Sequence, residues 1–370
     1  MKLLFLVTNL EPSGPGRQAL LLAPRLAQQG FQVKIVCLSK NRQSHHCVAV
    51  PLHVIEWNRR LAVGPVLELR QAVRVFQPDV IHVWSLTSLW ALALTGGPHS
   101  QTRIILSQPF SFKRKRPIHF AERWLLKLVS CIAVASQAEA MLCQQLLGMA
   151  NTRITTITTG VETDQDSLPR GEVLSRLSLP ANCKYLFCPG PLEREQGVID
   201  AVWSFDILRY IYPHLHLVVA GTGSAKESLF RYRAGLELNE RVHFPGPLTG
   251  PLFNSAISHA ELVWLPAHRE GCVESAVLAC AAGKPVVGTR VGQLVEIIVP
   301  GETGLLVAPG DKVGLAKAVH ELLADEPRLK RMGQRARALA CRNWPIEKSV
   351  EIAARLYKDN SAERKFQTAP

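Results

Sequence analysis

The 370-residue chain has no run of about 18 or more apolar residues, so no membrane-spanning helix is expected. Its nine cysteines are an odd number and include no C-x-x-C pair, which argues against a disulfide framework and against a zinc site. Reduced thiols in a cytoplasmic protein are the simpler expectation. None of the usual acidic metal-binding motifs occurs, and no metal is expected. Nor is there an internal repeat or a low-complexity tract. The opening stretch, MKLLFLVTNLEPSG, holds an apolar run too short for the core of a signal peptide and reads as a first buried strand.

What is present is the composition of a folded protein, 47% hydrophobic and 20% charged, at a length that suits two domains. Apolar strands alternate with helical patterns. KLLFLVTNL, FQVKIVCLS, PDVIHVWS, TRIILSQ and SCIAVAS fall in the first half; KYLFCPG, LHLVVAGTG, ELVWLPA and KPVVGTR fall in the second. Each strand of the second half is near-continuously apolar, as a parallel strand covered on both faces should be. Two Rossmann-like α/β domains are expected, over 1–165 and 178–344, with the polar DQDSLPRGEV between them. Ligands of open parallel sheets bind beyond the carboxyl ends of the strands, so two such domains are expected to face one another across one cleft.

Charge is unevenly spread. Residues 1–165 carry 18 Lys and Arg against 8 Asp and Glu. The densest cluster, Lys113-Arg114-Lys115-Arg116, precedes IHFAERWLLKLV, a stretch with Phe120, Trp124, Leu125 and Leu128 at helical spacing. Two readings stand: docking on anionic lipid headgroups, or a basic loop before a core-packed helix. Nucleic acid is disfavoured, because no helix-turn-helix, zinc-finger or aromatic single-strand motif accompanies the charge.

Three segments carry the chemistry. The first strand leads into EPSGPGRQALLLA, where Gly14 and Gly16 precede a helix whose N-terminus can cradle phosphate, with Arg17 beside it. A nicotinamide fingerprint would need glycine where Ala19 stands and an acidic residue at the end of VKIVCLS, so a dehydrogenase is disfavoured. The second half opens with FCPGPLEREQG. The third segment, Arg269–Val287, joins an acidic Glu270-Gly271 turn to a short apolar helix and a Gly-Lys-Pro turn into a buried strand. Glycine allows close backbone approach to a ligand, and the helix start offers N–H groups to an anion such as a diphosphate.

With the flanking WLPAHREG and VGQLVEIIVPGETGLLVAPGD, the third segment resembles the donor-sugar site of glycosyltransferase family 4, and the resemblance extends from Met1 to about Asp359. It implies the GT-B fold, with a C-terminal helix over about 345–358 that crosses back to the N-terminal domain. It also implies a retaining transfer of sugar from a nucleotide-activated donor, UDP- or GDP-linked, without a cofactor. The acceptor would be a glycan or lipid-linked molecule. Taken with the thiols and with lipid docking of the basic cluster, the expected place is cytoplasmic, peripheral on the inner face of the membrane. Glu270 and the Gly271, Cys272, Val273 and Glu274 backbone would hold the donor sugar and phosphate, with Glu296 in the following turn. The loop of Gly14 and Gly16 would face donor and acceptor, and Arg17 beside it is a phosphate contact or a solvated arginine at a helix start. His82 matches the first histidine of a family pattern, where it would orient substrate or cap local polar groups.

The chain departs from that pattern. Gly190, Leu192 and Gly197 are kept in the donor loop, but Pro191 and Gln196 stand where an arginine and a lysine would neutralise the diphosphate. Two charge-assisted hydrogen bonds lost at about 1.5–3 kcal/mol each amount to some two to four decades in rate. Arg194 is a substitute cation or a solvated loop charge. Leu278 replaces a glutamate that would hold the ribose, Trp84 replaces a second histidine, and Ser107 and Gln108 stand where an active-site histidine is common. Glu274, whose charge would repel a diphosphate, is read as facing solvent at the helix start, the alternative being a contact to a sugar hydroxyl. The alternative to an enzyme is therefore a catalytically inactive GT-B pseudoenzyme, acting as a binding or scaffold module.

Overall fold

A computed structural model of the protein describes residues 1–8, 10, 14–39, 49–57, 63–97, 101–107, 120–147, 153–162, 167–269 and 272–359. The chain forms two compact units, Met1–Gly160 together with Ile346–Pro370, and Val161–Pro345.

The first unit is built from β1 (Lys2–Val7), α1 (Pro15–Gln28), β2 (Gln32–Ser39), β3 (Leu52–Glu56), α2 (Val63–Phe76), β4 (Val80–Val83) and α3 (Leu86–Leu94). There follow β5 (Arg103–Ser107), α4 (Phe120–Leu126), β6 (Cys131–Val134), α5 (Gln137–Leu147) and β7 (Arg153–Thr156). The strands form one parallel sheet in the order β3-β2-β1-β4-β5-β6-β7. Every residue of β4 and β5 is buried, because helices cover both faces. One apolar core joins Leu4, Leu6 and Ile81 to helices α2 to α5; the other joins Leu3, Phe5 and Ile35 to α1.

The second unit adds α6 (Arg170–Arg176), β8 (Lys184–Pro189), α7 (Val198–Ile211), β9 (Leu215–Ala220), α8 (Lys226–Gly235), β10 (Val242–Gly246), α9 (Gly250–His259) and β11 (Val263–Leu265). It continues with α10 (Val273–Ala281), β12 (Val286–Thr289), α11 (Leu294–Ile297), β13 (Gly304–Val307), α12 (Lys312–Leu323) and α13 (Glu326–Asn343). Its sheet is also parallel, in the order β10-β9-β8-β11-β12-β13. The polar stretch DQDSLPRGEV, expected between the domains, is in part structured. Its end belongs to α6, where Val173 and Leu174 enter the core and Arg170 donates to the carbonyls of Cys183 and His259.

The last helix, α14 (Ile346–Lys358), returns to the first unit. Its apolar residues Ile346, Val350, Ala353, Ala354 and Tyr357 recur at helical spacing and join the core of α1, β1 and β2. The guanidinium of Arg103 donates to the carbonyls of Tyr357 and Asp359, satisfying acceptors that a helix end leaves unpaired.

Candidate functional site

Open parallel sheets take ligands where the strand order reverses, beyond the carboxyl ends of the two central strands. In the second unit this point lies between β8 and β11. The loop after β8 runs from Gly190 through a 3-10 turn at Arg194–Gln196 to Gly197, which caps α7. Gly197 is left-handed at φ 63, and a Cβ there would lie 1.9 Å from the Pro266 carbonyl oxygen, so only glycine lets the β8 and β11 loops meet. The meeting is hydrogen-bonded: the His268 amide donates to the Glu195 carbonyl at 2.8 Å. His268 Nε2 lies 2.5 Å from Asp200 Oδ2, and Lys312 Nζ is 3.6 Å from the other oxygen of that buried carboxylate.

Cys272 caps α10 and lies in the same contact. Its thiol reaches the Gly190 carbonyl at 3.1 Å and Gln196 Oε1 at 3.2 Å. Gln196 is buried and Arg194 is exposed, so Arg194 is the cation that this loop presents to solvent. Val273 is half-buried, and Glu296 is exposed on α11. Glu274 corrects the expectation of a solvent-facing carboxylate: it is only 7% exposed, tucked into the first turn of α10, where the helix dipole favours negative charge. Leu278 is buried among apolar neighbours of the core, one turn further along the same helix. Glu270 and Gly271 lie outside the described residues.

In the first unit the strand order reverses between β1 and β4. Gly14 is left-handed at φ 75 and caps α1, with Pro15 at the first helical position; Gly16 is buried and Arg17 half-buried. His82, one residue from the end of β4, is 1% exposed. Its Nδ1 meets the Tyr357 hydroxyl at 2.6 Å, its Nε2 meets Ser107 Oγ at 2.8 Å, and its ring stacks on Trp84 at 4.4 Å. Burial lowers its pKa from the usual 6.5 to about 3, and the same cause raises that of Tyr357. Of the two roles open for His82, this geometry is that of a neutral ring capping local hydroxyl groups, and both ring nitrogens are engaged. The Trp84 indole N–H is buried beside it with no hydrogen-bond partner among the described residues.

Sequence reasoning missed Tyr357, Asp200 and His268. Asp200 had a usable signal, its place in the first turn of the helix that Gly197 opens; His268 stands inside WLPAHREG but next to the more conspicuous Glu270. Gln108 and the cluster Lys113, Arg114, Lys115 and Arg116 lie outside the described residues. Of the stretch that follows, Leu125 is buried, whereas Trp124, Leu128, Arg123 and Lys127 are exposed. Among the described residues no helix is long and apolar enough to cross a membrane, and no group of three or more His, Cys, Asp and Glu could hold a metal ion.

Two α/β units with parallel sheets, each with a glycine loop at its point of strand reversal, define a fold of the GT-B class. Solved structures agree. The chain superposes on sucrose-phosphate synthase from Thermosynechococcus elongatus with a TM-score of 0.78 over 100% of both chains at 18% identity. It superposes on Anabaena HepE, solved with UDP and glucose, also at 0.78, over 96% of this chain and 99% of that one at 17% identity. The profile for glycosyl transferases group 1 matches residues 172–339 and that for Glycosyltransferase Family 4 matches residues 12–165. The chain belongs to this glycosyltransferase family. It is 27% identical over 293 residues to glycogen synthase of Mycobacterium tuberculosis, covering 77% of this chain and 69% of that enzyme. It is 27% identical over 286 residues to 2-deoxystreptamine glucosyltransferase of Streptomyces kanamyceticus, covering 72% and 74%.

Proposed function

We propose that the protein is a retaining glycosyltransferase that moves a sugar from a UDP- or GDP-linked donor to a glycan or lipid-linked acceptor. The observation that carries this reading is the convergence, at the reversal point of the second sheet, of the Gly197 turn and the starts of α7 and α10. Helix N-termini and close backbone approach are what a diphosphate requires. In this reading Glu270 and the backbone from Gly271 to Glu274 hold the sugar and phosphate, and Arg194, exposed on the β8 loop, supplies positive charge that Pro191 and Gln196 do not. The leaving diphosphate takes the acceptor proton, so no histidine base is needed. That suits His82, whose nitrogens are engaged elsewhere. HepE, solved with UDP and glucose, supports a nucleotide sugar as the donor class.

The acceptor reading places the enzyme peripherally at an anionic membrane. Exposed Trp124 and Leu128 interleaved with Arg123 and Lys127 support it, as does the basic excess of the first half. Co-sedimentation with vesicles containing an anionic lipid, at rising salt, tests the attachment. Loss of binding when Lys113, Arg114, Lys115 and Arg116 become serine is the expected result, and unchanged binding removes the idea.

A second reading, a scaffold without catalysis, is favoured by the apolar burial of Leu278 and by the engagement of Gln196 with Cys272. Calorimetric titration with a panel of nucleotide sugars, followed by product analysis with the binding donor, separates the two. Binding and turnover of at least one donor supports the enzyme; binding of none supports the scaffold.

A further inference from the structure

Asp200 and His268 are 68 residues apart in sequence, and each sits at the base of a loop that meets the other. Asp200 is 3% exposed in the first turn of α7. A carboxylate only accepts, so at 2.5 Å His268 must present Nε2–H to it, which fixes both the tautomer and the ring orientation. The His268 backbone is held on the same side, its amide donating to Glu195. On the far side of residues 270–271, the Cys272 thiol is bonded to Gly190 and Gln196 of that same β8 loop. The chain is thus tied to one loop on both sides of the Glu270-Gly271 pair. Three of these ties are made by backbone or thiol groups. The Asp200–His268 bond is the one that joins an ionisable carboxylate to an imidazole.

We propose that Asp200 and His268 are positioning residues of the donor site: their hydrogen bond holds the β11 loop on the β8 loop in the register that a nucleoside-diphosphate sugar requires. The inference rests on the glycosyltransferase reading of the second unit. Its physical basis is the division of labour around Asp200. One oxygen serves His268 and the other faces Lys312, so removing the imidazole leaves the buried carboxylate with a cation nearby. The loss therefore falls on loop geometry rather than on the fold, and the donor's affinity is the quantity it moves.

The test uses the full chain with His268→Ala and His268→Gln. The glutamine amide nitrogen reaches the position of Nε2 and can donate to Asp200. The first readout needs no activity: the rate at which iodoacetamide alkylates Cys272, followed by peptide mass, with exposed Cys341 as internal reference. The second is the steady-state split between KM for the donor and kcat. A hydrogen bond to a charged group corresponds to about tenfold or more, so His268→Ala should speed Cys272 alkylation and raise donor KM by about that factor. With kcat little changed, His268→Gln should return both toward the parent.

An alanine variant matching the parent in alkylation overturns the proposal, as does a folded glutamine variant that restores neither readout. If the parent turns over no nucleotide sugar, the enzyme reading fails, and the alkylation ratio still decides whether the pair holds the loops.

Discussion

Acid should destabilise the first unit through His82, and the size of the effect follows from its burial. The ring is 1% exposed, hydrogen-bonded at both nitrogens and stacked on Trp84, and its pKa falls from 6.5 in the unfolded chain to about 3. A depressed pKa means that below pH 6.5 the unfolded chain binds a proton that the folded one refuses. The stability from this group is therefore whole above pH 6.5 and lost progressively as pH falls toward 3. With those two values the loss is about 2 kcal/mol at pH 5 and about 3 kcal/mol at pH 4. Urea unfolding of parent and His82→Gln, at pH 7 and pH 5, isolates the contribution. Histidines elsewhere, including the pair His216 and His243 with their own lowered pKa values, cancel in the double difference. The parent should lose about 2 kcal/mol more than the variant between the two pH values. Equal losses would show that His82 titrates as an open histidine and would refute the buried, neutral ring.

Gly197→Ala should destabilise the second unit by about 2 kcal/mol or more and abolish nucleotide-sugar binding, because the left-handed φ and the Pro266 carbonyl both oppose a Cβ; thermal melting and calorimetry report the two effects. Leu278→Ala should cost about 2–5 kcal/mol as a cavity in the apolar core. Leu278→Glu, which restores the family's residue, should lower the melting temperature without ligand and regain part of it with a nucleotide sugar. Replacing Arg194 by alanine should slow turnover by about one to two decades while leaving the urea midpoint in place. A variant as fast as the parent would withdraw Arg194 from the donor site.

The strand and helix alternation was legible because central parallel strands such as β4, β5 and β9 are buried on both faces and read as near-continuous apolar runs, while α1 and α14 carry apolar residues at helical spacing. The glycine loops were legible for a related reason. Gly197 stands where no other residue fits, and such positions mark themselves in a sequence. The role of a polar side chain did not show in the same way. Glu274 looked solvent-facing because a helix start usually is, and it is packing around α10 that buries it.

The sequence by itself thus determined the class of the protein. Two parallel-sheet units and the places where a ligand loop must lie follow from hydrophobic period and from glycine, both local properties of the chain. Only the tertiary structure decided what the polar groups do. His82 meets Tyr357 across 275 residues and Asp200 meets His268 across 68, so their protonation and hydrogen bonding depend on partners that no local pattern announces. A side chain's chemistry is set by what surrounds it, and that is decided when the sheets assemble and α14 returns to the first unit.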